Sequence, residues 1–147
     1  MYIQLSVNAL VFLTIFGMQI DQSGNVVAAS LNEIVLITPS GTLTIIPLTP
    51  SDGTDFIDIT LDGQGNYYLP NDVSEGTTQE YIYKTNSLGV LSPFAGNIAT
   101  NGGRGNADGS LTTATFNDPY GICIDTKGNL YVADAENGSI RKIVLYP

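Results

Sequence analysis

Histidine is absent from the chain, and that absence removes the most common zinc ligand and the side chain that most often acts as general base near neutral pH. Much hydrolytic chemistry is thereby excluded. Basic residues are scarce: 5 Lys and Arg stand against 14 Asp and Glu, a formal charge of -9. Phosphate backbones and anionic lipid headgroups are on average repelled by such a chain. Cys123 is the single cysteine and has no intramolecular disulfide partner. It lies in the apolar run Gly121-Ile122-Cys123-Ile124, where a small residue is expected to be buried in a strand. No long hydrophobic run exists either. The most apolar stretch, Ala9 to Phe16, spans 8 residues where a membrane helix needs about 20, and no Lys or Arg precedes it as a signal peptide requires. It reads as a buried strand. No helical periodicity of any length is present.

What is there is repetition. Apolar strand, Asp, two variable residues, Gly-Asn, apolar strand occurs at Ile20–Val27, Leu61–Tyr68 and Ile124–Tyr131. In such a pattern Asp accepts hydrogen bonds from turn amides, Gly takes positive φ without steric cost, and Asn is expected to share that left-handed region. Each copy therefore predicts a β-hairpin. After the first come strands over Glu33 to Thr38 and Thr42 to Leu48, and after the second over Glu80 to Lys84 and Val90 to Phe94. After the third, Ser139 to Leu145 gives one further strand. The repeated aspartates are 41 residues apart from Asp21 to Asp62 and 63 apart from Asp62 to Asp125, the difference being a long loop rich in Gly, Asn and Thr.

Units of about 40 residues with four strands each are the dimensions of propeller blades. The expected fold is all-β: a β-propeller segment of about three four-stranded antiparallel blades. It is read as one unit over 1–147, with blades at roughly 12–48, 56–96 and 116–146 and 97–117 as an inter-blade loop. Tyr2 to Val7 alternates well enough to supply the strand that the third blade lacks. A closed ring generally needs at least four blades, so the chain is expected to be either part of a longer propeller or half of a homodimer that closes a six-bladed ring.

Gly109 to Ile143 resembles an NHL repeat almost throughout: the Phe116-Asn117-Asp118-Pro119-Tyr120-Gly121 lead-in, an apolar strand ending at Asp125, Gly128-Asn129, Leu130-Tyr131-Val132-Ala133-Asp134, an Asn-containing turn, and Ile140-Arg141-Lys142-Ile143. Ser92 to Asn97 and Ala107-Asp108-Gly109 are similar to linkers of bacterial multi-blade NHL proteins. The first unit lacks the lead-in, and the second has Leu69-Pro70-Asn71-Asp72 in place of Val-Ala-Asp. The resemblance implies a face formed by the loops between second and third strands and between blades. That face gathers Arg104, Asp108, Asp118, Tyr120, Asp134 and Asn137, with Asp72 nearby, as a ligand-binding surface for a protein, peptide or carbohydrate. No catalytic residue and no metal ligand is expected.

Related enzymes hold a metal on the propeller axis. The peptide-amide lyase type uses histidine-bound zinc, which this chain cannot supply. A lactonase-like calcium-dependent hydrolase, in a completed propeller, is the alternative, since calcium needs only oxygen ligands. Asp21, Asp62 and Asp125 invite that role but sit in structural hairpin turns. RNA binding, known for some animal NHL propellers, would need a basic face, and Lys84, Arg104, Lys127, Arg141 and Lys142 are too few and scattered in the sequence to form one. The composition suits a bacterial envelope or extracellular protein.

Overall fold

The computed structural model describes residues 14–48, 54–72, 79–98 and 103–145. Tyr2 to Val7 and most of the Ala9–Phe16 run lie outside the described residues.

Three antiparallel sheets follow one another along the chain. The first is a four-stranded meander of β1 (Ile15–Ile20), β2 (Val26–Ser30), β3 (Glu33–Ile37) and β4 (Leu43–Pro47). In the second, the first strand is split into β5 (Asp55–Phe56) and β6 (Thr60–Leu61), both paired with β7 (Tyr67–Asp72), which is followed by β8 (Ile82–Thr85) and β9 (Leu91–Ala95). The third contains β10 (Pro119–Ile124), β11 (Leu130–Asp134) and β12 (Ser139–Ile143), the last two joined by a 3₁₀ turn at Ala135–Asn137. No fourth strand joins β12 among the described residues. The molecule is all-β, a partial propeller.

The second sheet packs on both faces, and the first and third each pack one face against it. Val27, Ala29 and Ile34 of the first blade meet Phe56, Ile59, Tyr67, Leu69, Tyr81 and Tyr83 of the second in one core. The second core joins Tyr68, Ile82 and Ala95 of the second blade to Phe116, Ile122, Leu130, Val132 and Ile143 of the third. Each core is thus shared between neighbouring blades, and the consecutive residues Tyr67 and Tyr68 go to different cores.

The outer faces differ accordingly. Met18 and Ile20 on the first blade are 64% and 69% exposed, and Ile140 on the third is 71% exposed. Two expectations are corrected here. Cys123 is exposed, not buried: in β10 it is Ile122 that turns towards the second blade, and Cys123 points the opposite way, where no further blade stands among the described residues. The described end of the Ala9–Phe16 run does begin a strand, but Ile15 and Phe16 are 38% and 42% exposed rather than buried.

Candidate functional site

The three aspartate turns are built alike. Asp21 Oδ1 accepts the amides of Ser23 and Asn25, both at 2.8 Å, and Oδ2 accepts the Asn25 side-chain amide at 2.7 Å. Asp62 does the same with Gln64 and Asn66, and Asp125 with Lys127 and Asn129. Gly24, Gly65 and Gly128 take φ of 81°, 81° and 84°, which closes the turn as a type I turn with a glycine bulge. The asparagines do not share the left-handed region as the sequence suggested; among the described non-glycine residues only Asp118 has positive φ. Asn is needed for its side-chain amide, which locks the carboxylate. That amide is the largest influence on Asp125, holding its carboxyl down to about 2. Tyr68 and Tyr131 add phenol donors to Asp62 and Asp125, both at 3.2 Å. Burial and then the Asp62 charge raise the Tyr68 hydroxyl to about 12. With both oxygens of each carboxylate occupied by turn donors, these groups are scaffolding.

At the opposite end of the strands lies the face expected to bind. Its residues fall into two networks and one outlier. Asp134, fully buried, accepts the Asn117 amide at 2.7 Å, the Asn137 side-chain amide at 2.9 Å and Arg141 at 3.0 Å. Asn137 also donates to the Gly105 carbonyl, and Arg141 donates to the Thr115 and Ala107 carbonyls and to Asp108 at 2.7 Å. Asp134, Asn137 and Asp108 are therefore brought together, with Arg141, as the clasp that fastens the 103–117 loop to the third blade. The second network is Arg104 with Glu80: Nε donates to Oε1 at 2.8 Å, Arg104 is half exposed, and Glu80 is 1% exposed. Burial pushes the Glu80 carboxyl up; Arg104 pulls it back, the Asp118 charge pushes it up, and the net direction is upward. Its Oε2 has no hydrogen-bond partner among the described residues. Tyr120, at the start of β10 just beyond Asp118, is 56% exposed. The side chain of Asp72 is outside what is described.

Two elements escaped sequence reasoning. Glu80 was taken as an ordinary strand residue, and its contact lies 24 residues away. Asp58, on the inner side of the second blade, accepts the Ile122 amide of the third blade at 2.8 Å through Oδ2 and its neighbour Ile59 at 2.9 Å through Oδ1. These amides occupy equivalent repeat positions, so one carboxylate ties two inner strands. The first blade meets it with Gly17, where a Cβ would stand 2.6 Å from Asp58 Cα. The signal was available in alignment of the repeats, where Gly17, Asp58 and Gly121 coincide. Among the described residues, no three of the Asp, Glu and Cys side chains group as a metal site would require.

Between the second and third blades, on the outer side, runs an open groove of about 1420 Å³, walled by Tyr68, Lys84 and Phe94 on one side and the length of β12 on the other.

Residues 116–143 match the family model described as NHL repeat. That part of the third blade is an NHL repeat. NHL repeat-containing protein 2 of Bos taurus is 43% identical over 61 residues, an alignment covering 38% of this chain and 8% of that protein. The chain thus spans a small part of that relative's length. A solved protein of unknown function from Bacteroides thetaiotaomicron aligns with a TM-score of 0.61 at 26% identity, covering 81% of this chain and 32% of that one. A candidate gluconolactonase aligns with a TM-score of 0.58 at 14% identity, covering 90% of this chain and 46% of that one. At that identity the likeness is one of fold.

The matched NHL repeat begins at Phe116, whose ring lies 5.5 Å below the Arg141 guanidinium, and includes Asp134 and Asn137. The Asp134 position is held by Asn71 in the second blade and Ser30 in the first, all three buried. The NHL signature thus marks the clasp that holds the blade together.

Proposed function

We propose that this chain is a non-catalytic binding or scaffold module that presents a propeller face to a protein, peptide or carbohydrate. The observation that carries this reading is how the loop face allots its polar groups. Asp134, Asn137 and Asp108 are occupied with internal donors and acceptors, while Tyr120 and half of the Arg104 side chain remain turned to solvent. A phenol and a guanidinium on a rigid frame are suited to contacts that use stacking and hydrogen bonding together. A homodimer completing a six-bladed ring would extend that face, and light scattering would show it as a species near twice 15.6 kDa.

The test is a panel of immobilised peptides and glycans probed with the full chain. A ligand whose affinity falls at least about tenfold in Tyr120→Ala, a loss of about 1.4 kcal/mol, supports the reading. Calcium-dependent acceleration of lactone hydrolysis over buffer would overturn it in favour of the calcium-dependent hydrolase alternative.

A further inference from the structure

The 103–117 loop is tied to both blades it runs between, and the two ties differ in kind. On the third blade the Asn137 side-chain amide donates to the Gly105 carbonyl at 2.8 Å, and Arg141 donates to the Thr115 and Ala107 carbonyls. On the second blade the side-chain tie is Glu80 with Arg104, accompanied just past β9 by a backbone bond from the Gly96 amide to the Leu111 carbonyl at 3.0 Å.

Glu80 lies two residues before β8 and is 1% exposed. Its Oε1 accepts Arg104 Nε at 2.8 Å. Asp118, whose φ of 58° is unlike that of any other described non-glycine residue, supplies a backbone hydrogen bond to the same carboxylate. One buried acid thus meets the loop and the lead-in to β10 together. The charged groups that face it are Arg104, which favours its charge, and the Asp118 carboxylate, which opposes it. Burial outweighs both and moves the carboxyl upward. Once neutral, a carboxyl accepts a hydrogen bond only about half as strong as the charge-assisted one. The Arg104 guanidinium is half exposed, so water is at hand to take the place of a partner that has lost its charge.

We propose that Glu80 is an acid-operated latch: on protonation it releases Arg104, whose guanidinium turns out onto the loop face while Asn137 keeps Gly105 pinned to the third blade. The proposal rests on the binding-module reading and adds regulation to it, since the face gains a free guanidinium in acid and withdraws it at neutral pH. A carboxyl raised on folding favours the folded state when protonated, so the release is separate from acid unfolding of the blades.

The chain has two arginines, Arg104 and Arg141, so the Nε–H signals in a nitrogen–proton NMR spectrum of the full chain carry their own control. As the pH is lowered, the Arg104 signal should move from a bonded to a solvated position with a midpoint above 4.5, while the Arg141 signal and the blade amides stay in place. In Glu80→Gln the Arg104 signal should sit at the solvated position throughout. Asp118→Asn keeps a residue that tolerates positive φ but removes the opposing charge, so it should lower the midpoint; it carries the test where Glu80→Gln fails to fold. An Arg104 signal that stays fixed, that moves only together with the blade amides, or that titrates unchanged in either variant would overturn the proposal. A Tyr120-dependent ligand found with the Arg104 signal fixed leaves the module reading without the latch, and a titrating signal with no ligand leaves the latch without the module reading.

Discussion

The second and third blades close the same hairpin with different chemistry. Paired across the two strands in the second blade are Leu69 and Tyr83, and in the third Val132 and Arg141, so Tyr83 holds the place of Arg141 as Asn71 holds that of Asp134. In the second blade the neutral Asn71 amide accepts the Tyr81 amide at 2.8 Å and donates to the Gln79 carbonyl, and Tyr83 packs edge-on against Phe56. In the third, a buried carboxylate meets a guanidinium that stacks on Phe116. Both solutions give the buried polar group at this position, Asn71 or Asp134, its hydrogen-bond partners. The ionic form also reaches outward, because Arg141 has donors left over for the Ala107 and Thr115 carbonyls and holds the long loop.

That comparison can be broken most severely at Asp134. Asp134→Ala leaves the Asn117 amide, the Asn137 amide and Arg141 without their acceptor and should cost about 3–5 kcal/mol in denaturant unfolding. A loss below about 1 kcal/mol would mean that the clasp is ornamental. If the two pairs are interchangeable units, Asp134→Asn with Arg141→Tyr should be less damaging than the two single losses summed, by about 1–3 kcal/mol. Strict additivity would show that the blades tolerate the swap only through their whole surroundings.

Next in size is the ion pair between the second blade and the long loop that follows it. Arg104→Ala leaves the Glu80 charge buried alone and should cost about 2–3 kcal/mol, discounted because Arg104 is half exposed. Glu80→Gln should be milder and alter the pH dependence. Because the folded carboxyl is raised above its unfolded value, wild-type Glu80 favours the folded state at low pH and loses that advantage as pH rises past about 4.5 through its folded pKa. Wild type minus Glu80→Gln stability, followed from pH 3 to 7, should decline with increasing pH; a rising difference would show that the ion pair outweighs burial.

At the turns the two blades should agree. Gly65→Ala and Gly128→Ala meet nothing within 4 Å but force a side chain into positive φ, and each should cost about 1–2 kcal/mol to a similar extent. Unequal losses would mark one turn as strained by its blade. Least in size, Asp125 contributes stability that is present above about pH 4 and lost as pH falls towards about 2, so Asp125→Asn should melt closest to wild type at the acid end.

How much of this could be read beforehand follows from sequence distance. The aspartate turns were legible because Asp, Gly and Asn act within five positions and recur three times. The strands were legible from their alternation, yet alternation names two faces without saying which one meets a neighbour. Cys123 was placed on the wrong side for that reason. Glu80 finds Arg104 across 24 residues and Asp58 finds the Ile122 amide across 64, separations at which a single sequence carries no local pattern. The clasp at Asp134 was seen as a binding candidate because turn residues on a shared face look alike whether they hold a ligand or a loop.

Asp58 ties the inner strands of the second and third blades, while Gly17 meets the same residue with no side chain to offer it. The seam between the later two blades is therefore bonded through Asp58 itself, and the earlier seam is bonded beside it, by the Thr60 hydroxyl to Gln19 Oε1 at 3.1 Å and by the Phe56 amide to the Leu31 carbonyl at 2.7 Å. Asp58 thus works as a rivet at the hub: its shank joins the later two blades, and its head sits flush against the first only because Gly17 leaves the recess.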